Sequence, residues 1–300
     1  MATVRTISGK QGERKNLFCI LVCSLFLSSV AIAAGNLNVS ENFNSCRSLR
    51  SMARIYMACG DYAKAQPLAE QALIMAKDTN ASNAELCSSL IDLAYLYKDI
   101  GRLEDAESLC SLGLRLQEKV YYKDHPYIAY TLRILSDIYQ GQGRYTEAQL
   151  TLDRAMDVML KSHPADEPVM APFLVDKAKL LAAQNDLAES EIYYQKALNL
   201  INNSYGPDHL YTATVLGNVA SLYVQEGRYS EAESLIIRTL AIQEKVYGPN
   251  HRFLAPTLAT MAKIRRANGN NISAEKLEQR ISDVRTNKQL SAGYIARAFN

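Results

Sequence analysis

Three observations predict an all-α solenoid of about six helix-turn-helix repeats. Glycine and proline are sparse (14 and 8 of 300 residues), hydrophobic residues make up 48%, and strand-type alternation of Val, Ile and Thr is nearly absent. A short pattern recurs: CGDYAKAQ, IGRLEDAE, QGRYTEAQ, QNDLAESE, EGRYSEAE and NGNNISAE, anchored at Gly60, Gly101, Gly143, Asn185, Gly227 and Gly269. The anchors are separated by 41 residues once and by 42 thereafter, a period that denotes a repeat architecture. The residue types at fixed offsets from each anchor then fall on helical stripes.

The first helix of each unit is defined upstream of its anchor. Eleven residues before it stand Leu49, Leu90, Leu132, Leu174, Leu216 and Leu258. Seven before it the residue is small: Ala53, Ala94, Ser136, Ala178, Ala220 and Ala262. Four before it are Tyr56, Tyr97, Tyr139, Leu181, Tyr223 and Arg265, so these steps of four and three lie along one face. The small residue admits a neighbouring helix, and the larger ones fill the space beside it.

Downstream of the anchor the second helix follows. Tyr62, Leu103, Tyr145, Leu187, Tyr229 and Asn271 stand two residues on. Ala65, Ala106, Ala148, Ser190, Ala232 and Ala274 stand five on, and Leu73, Leu114, Met156, Leu198, Leu240 and Ser282 thirteen on. The anchor itself ends the first helix, because glycine accepts a left-handed backbone without steric cost. A hairpin of this kind cannot bury its apolar face alone, so neighbours must stack. The pairs predicted are 43–59 with 62–77, 84–100 with 103–120, 127–141 with 145–161, 169–184 with 187–203, 210–226 with 229–246, and 252–268 with 272–286. The loops VYYKDHP, SYGPDHL and VYGPNHR place Asp124, Asp208 and Asn250 where an N-cap is needed. The sixth repeat turns polar at Arg265, Asn271 and Ser282, as a terminal cap requires.

Outside the array, residues 1–33 read as a signal peptide: Lys10, Arg14 and Lys15 precede the apolar run Leu17–Ala34, and Ala31 and Ala33 offer a small-residue exit. The chain is therefore expected to be exported, periplasmic or secreted, with no membrane span after cleavage. If the signal is retained, the same segment tethers the chain to a membrane. Residues 34–42 form a short linker, 43–286 the array, and 287–300 a tail or cap. The segment removed carries Arg5, Lys10, Arg14 and Lys15 against Glu13, which leaves the rest close to neutral. A neutral chain without a basic block gives no electrostatic basis for binding nucleic acid.

Candidates for chemistry are few. His125, His209 and His251 occupy equivalent loop positions one or two repeats apart, too far to share a metal ion, and read as helix-start residues. Cys46, Cys87 and Cys110 fall in packing slots, whereas Cys59 falls where later copies are polar. Equivalent positions in adjacent hairpins lie beyond disulfide reach, so no bridge is expected. No catalytic motif, metal-ligand spacing or phosphate loop is present after residue 33.

The spacing of small residue, tyrosine, glycine, aromatic and alanine resembles the tetratricopeptide repeat. The 42-residue period, with VASLYVQEGRYSEAESL, RTLAIQEKVYGPNH and LQEKVYYKDHP, is similar to the kinesin-light-chain-like branch of that family. The likeness covers about 43–285, and leucine stands where the family usually has tryptophan. It implies a right-handed superhelix whose first helices line a concave groove for an extended or helical peptide. It implies a non-enzymatic scaffold with a protein or peptide partner and no cofactor. Residues ten, nine and six before each anchor would face that groove. The site so implied comprises Arg50, Arg54, Asp92, Tyr95, Arg133, Asp137, Lys179, Asn218, Ser221 and Lys263. Arg50 and Arg54 resemble a carboxylate-binding basic pair, and Asn218 matches an asparagine that holds peptide backbone. A structural subunit of a membrane-associated assembly and a hydrolase with dispersed catalytic residues are the rival readings.

Overall fold

The computed structural model describes residues 45–58, 60–78, 82–165 and 167–286. The expected signal peptide, the linker 34–42, the tail 287–300 and Cys59 lie outside the described residues. Among the described residues the chain forms twelve α-helices and two short 3-10 turns. Six antiparallel hairpins result: α1 (Cys46–Ala58) with α2 (Tyr62–Asp78), α3 (Asn83–Asp99) with α4 (Leu103–Val120), and α5 (Pro126–Gly141) with α6 (Tyr145–Leu160). The second half continues with α7 (Ala171–Ala183) and α8 (Leu187–Tyr205), α9 (Leu210–Gln225) and α10 (Tyr229–Tyr247), then α11 (Ala255–Ala267) and α12 (Asn271–Thr286).

All six anchors adopt the left-handed backbone, with φ of 66° at Gly60 and also at Asn185, the one non-glycine with positive φ among the described residues. At each, the amide one residue after the anchor bonds back to the carbonyl four residues before the anchor, as Arg102 N–H does to Tyr97 O at 2.8 Å and Asp186 N–H to Leu181 O at 2.9 Å. This six-to-one bond satisfies the last carbonyls of the helix and turns the chain. Asparagine serves because its short polar side chain tolerates the left-handed region better than other non-glycine residues.

The small residues lie where the two helices of a hairpin cross. All twelve small residues are buried, between 0 and 4% exposed. Two of them are serine, and each hydroxyl is satisfied across the crossing. Ser136 Oγ donates to Ala148 O at 2.7 Å, and Ser190 Oγ to Ala178 O at 2.8 Å. A hydroxyl replaces a methyl there without leaving a buried donor unpaired.

Two first helices begin later than their periodicity predicts. Pro168–Met170 and Arg252–Leu254 form 3-10 turns ahead of α7 and α11. Pro172 and Pro256 explain both, since a proline ring clashes with the carbonyl four residues earlier, at 168 and 252, and lacks the amide an α-turn would use.

Each second helix packs against the first helix of the next hairpin. First helices of successive hairpins also meet one another, which second helices do not do to that extent, so the first helices line the inner side of the curve. The core runs as stacked layers: one cluster spans Ala53 to Leu180, a second Ala171 to Ile264, and a third joins α11 to α12 through Leu254, Leu258, Ile281 and Val284. Cys46, Cys87 and Cys110 are buried and unbridged, and burial pushes the Cys110 thiol up to about 12. No helix among the described residues is long and apolar enough to cross a membrane.

Candidate peptide-binding surface

The ten residues implied by the repeat register all sit on α1, α3, α5, α7, α9 and α11, the helices of the inner face. Their surroundings divide that face in two. Across the first four hairpins the charges are consumed by one another. Arg50 Nε donates to Asp92 at 2.8 Å and Arg54 Nε lies 3.3 Å from the other oxygen of the same carboxylate. Lys98 stands 3.2 Å from Asp99 and 3.5 Å from Asp137. Arg133 Nη1 donates to Asp176 at 2.8 Å, with Lys179 3.3 Å from its second oxygen.

Each ladder step joins a first helix to the next, 39 to 43 residues along the chain. The register explains the two arginine steps. Position ten before one anchor lies beside position nine before the next, so a basic residue at the former meets an acid at the latter. Asp92 and Asp176 are buried, at 9% and 5% exposure, and buried carboxylates persist where cations satisfy them.

The expected basic pair is therefore not a bare carboxylate clamp. Arg50 and Arg54 hold Asp92, a partner supplied by the following hairpin that no local spacing revealed. Burial draws the Arg54 guanidinium below its usual range, Asp92 opposes that, and Arg50 adds to it. Asp137 is held above the usual carboxylate range, by burial first and by Asp176 second, despite Lys98, Lys179 and Arg133. Tyr95 is exposed, with the Lys98 ammonium 4.5 Å from its ring centroid.

The last two hairpins differ. Ser221 Oγ donates only to Gly217 O in its own helix, at 3.0 Å. The side chains of Asn218 and Lys263 have no hydrogen bond or ion pair among the described residues. Asn218 is half-buried on α9 next to Gly217, where a β-carbon would meet Thr239 of α10 at 3.5 Å. An unengaged carboxamide can both donate to and accept from an extended chain.

A second set of contacts, between the end of a first helix and the preceding hairpin, was not anticipated. The tyrosine four residues before an anchor, the arginine one after it and a glutamate from the preceding hairpin form a clasp. Tyr223 donates to Glu191, Arg228 Nη1 lies 3.0 Å from Glu191, and the guanidinium covers the Tyr223 ring at 3.7 Å. Tyr139, Arg144 and Glu107 repeat it, with the guanidinium 4.3 Å over the ring and 2.8 Å from Glu107. In the last hairpin Arg265 replaces the tyrosine and pairs with Glu233 at 2.7 Å. Leu181 and Asp186 break the pattern at the fourth hairpin.

The loops correct a further expectation. The N-caps are His125, His209 and His251 rather than Asp124, Asp208 and Asn250. In each case Nδ1 accepts from the amide two residues on, at 3.2 Å. Each imidazole stacks on a tyrosine four residues earlier, at 4.5 Å for Tyr121, 4.8 Å for Tyr205 and 5.0 Å for Tyr247. The residue before is turned outward: Asp124 pairs with Lys161 at 2.7 Å, and Asp208 stands 4.0 Å from Arg238. The recurrence of Tyr–x3–His–x–aromatic at one register was the sequence signal for this motif. No group of three or more potential metal ligands occurs among the described residues.

Comparison with known proteins agrees with this architecture. Solved structures of the same fold include BtubC (BKLC) from P. vanneervenii, 20% identical with a TM-score of 0.55, covering 77% of this chain and 91% of that one. A putative kinesin light chain with nearly identical TPR-like repeats from Podosopora anserina is 21% identical, with a TM-score of 0.51 and coverage of 67% and 96%. A Rap protein complexed with competence and sporulation factor is 12% identical, with a TM-score of 0.60 and coverage of 83% and 75%. A search of curated proteins gives no match. The tetratricopeptide repeat pattern matches residues 44–109, 85–161, 170–236 and 211–287, and the chain belongs to the tetratricopeptide repeat family.

Proposed function

We propose that this protein is a non-catalytic scaffold that holds an extended segment of another polypeptide against the inner face of α9 and α11. The observation that carries the reading is the contrast along that face. Hairpins one to four spend their charges on each other, whereas the side chains of Asn218 and Lys263 have no polar partner among the described residues. Tetratricopeptide repeat proteins bind protein or peptide partners, and one structural neighbour is a Rap protein complexed with competence and sporulation factor. Here Asn218 holds main chain and Lys263 attracts an acidic side chain or terminus of the segment. The ion ladder of the first four hairpins sets the curvature that presents both.

The test is capture from an extract of the source cells by wild type and by the variant Asn218→Ala with Lys263→Glu. The variant is expected to lose about tenfold in affinity, the effect of one or two hydrogen bonds including a charged one. Equal capture by both proteins places the partner elsewhere on the array. We further propose export through removal of residues 1–33. Mass spectrometry of the mature N-terminus tests this, and an intact Met1 together with membrane association supports a tethered subunit instead.

A further inference from the structure

One contact joins parts of the array that the repeat register does not bring together. Arg252 stands in the 3-10 turn that opens the sixth hairpin, and its guanidinium lies over Gly60, the turn of the first. A β-carbon at Gly60 would sit 2.7 Å from Arg252 Cζ and 2.8 Å from Nε. The same guanidinium acts on the phenol of Tyr62, which also feels Asp99 at the end of α3. Arg252 itself is exposed and forms no ion pair among the described residues.

The physical basis is the end of α1. Its last carbonyls concentrate negative potential beside Gly60, and Asp99 adds a carboxylate at the neighbouring turn. A cation set against that end is favoured. Glycine leaves room for a planar guanidinium to lie flat on the backbone, which any side chain would prevent.

We propose that Arg252 latches the sixth hairpin to the turn of the first, so that six hairpins complete one closed superhelical turn around the inner face. The enclosure also bears on the partner, and this consequence rests on the binding reading above. A closed turn admits a single extended segment and excludes a folded domain.

Small-angle scattering on the purified protein tests the latch without a partner. Arg252→Glu is expected to raise the radius of gyration by about 1 Å or more over wild type, relative to the compact-domain scale. Gly60→Ala, which pushes the guanidinium off the turn, should expand the protein likewise. Gly227→Ala carries the same left-handed strain, with φ of 75°, but has nothing within 4 Å of its β-carbon, and should not. An unchanged radius in Arg252→Glu at unchanged helix content overturns the proposal, as does equal expansion in the two glycine variants. Because no ligand enters, failure here leaves the binding reading standing, and failure of the Asn218 variant leaves the latch standing.

Discussion

Three aspartates on one face show how the same residue type carries opposite energetic signs. Asp92 and Asp176 each accept from an arginine at 2.8 Å and have a second cation nearby. Removing either charge leaves a half-buried guanidinium short of its partner, so Asp92→Asn and Asp176→Asn should each cost about 2 kcal/mol at neutral pH. Asp137 is different, because burial and Asp176 raise its folded-state pKa above the usual 3.8. Its ionised form is then disfavoured in the folded chain relative to the unfolded one. That penalty is present at neutral pH and disappears as pH falls through the raised folded value towards 3.8. Lys98 keeps Asp99 at 3.2 Å if Asp137 is neutralised. Asp137→Asn should therefore leave the neutral-pH melting temperature unchanged or raise it. Thermal melts of the three variants check this, and a loss in Asp137→Asn equal to the other two contradicts it. The same reasoning applies to Arg50→Glu with Arg54→Glu. Both changes set an acid against buried Asp92, so they should destabilise the fold rather than act on binding alone.

At the scale of the element, the helix starts carry a pH dependence. His209 and His251 cap through an Nδ1 that must be unprotonated to accept, and burial lowers both pKa values, with Arg252 adding to the effect at His251. As pH falls below the ordinary value near 6.5, the unfolded chain takes up protons that the folded chain refuses. Stability therefore decreases from about pH 6.5 down to the lowered folded values, and the cap is lost below them, at about 1 kcal/mol per helix. The double variant His209→Asn with His251→Asn keeps an acceptor at each N-cap without a titrating group. Its melting temperature should fall less than that of wild type between pH 7 and 5. Parallel curves for the two proteins would contradict the assignment. The junction of the third and fourth hairpins is the other element of note. It lacks the tyrosine–arginine–glutamate clasp, and it relies on Arg133 with Asp176 and Lys177 with Asp153, each at 2.8 Å.

For the whole molecule, stability is a chain of nearest-neighbour interfaces closed by a polar end. The third core cluster consists of α11 and α12 residues packed with Leu240 of α10. Truncation after Val246 uncovers Leu240 along with the α9 residues that share a cluster with Ile264. The shortened protein should aggregate and melt earlier, measured by light scattering during a thermal ramp. A soluble truncation with an unchanged melting point would mean that the sixth hairpin is not the cap.

Much of this was already legible in the amino-acid sequence. The six anchors, the two helical stripes and the small residues at each crossing are local in origin: a positive φ, a period of 3.6 and the volume of a side chain are properties of a residue and its near neighbours. Asn185 could be placed in register with five glycines for that reason, and the structure gives it the same backbone. Helix starts were less legible, because Pro172 and Pro256 act through the carbonyl four residues back and because imidazole competes with carboxylate and amide for the cap. The state of the inner face was decided only by tertiary structure. Whether Arg50 is available or already bound depends on Asp92, 42 residues later, and whether Arg252 meets Gly60 depends on the rise and twist accumulated over every interface between them. Small angles at each stacked layer add, so the residues that finally meet across a superhelical turn are fixed by the sum and not by any one repeat.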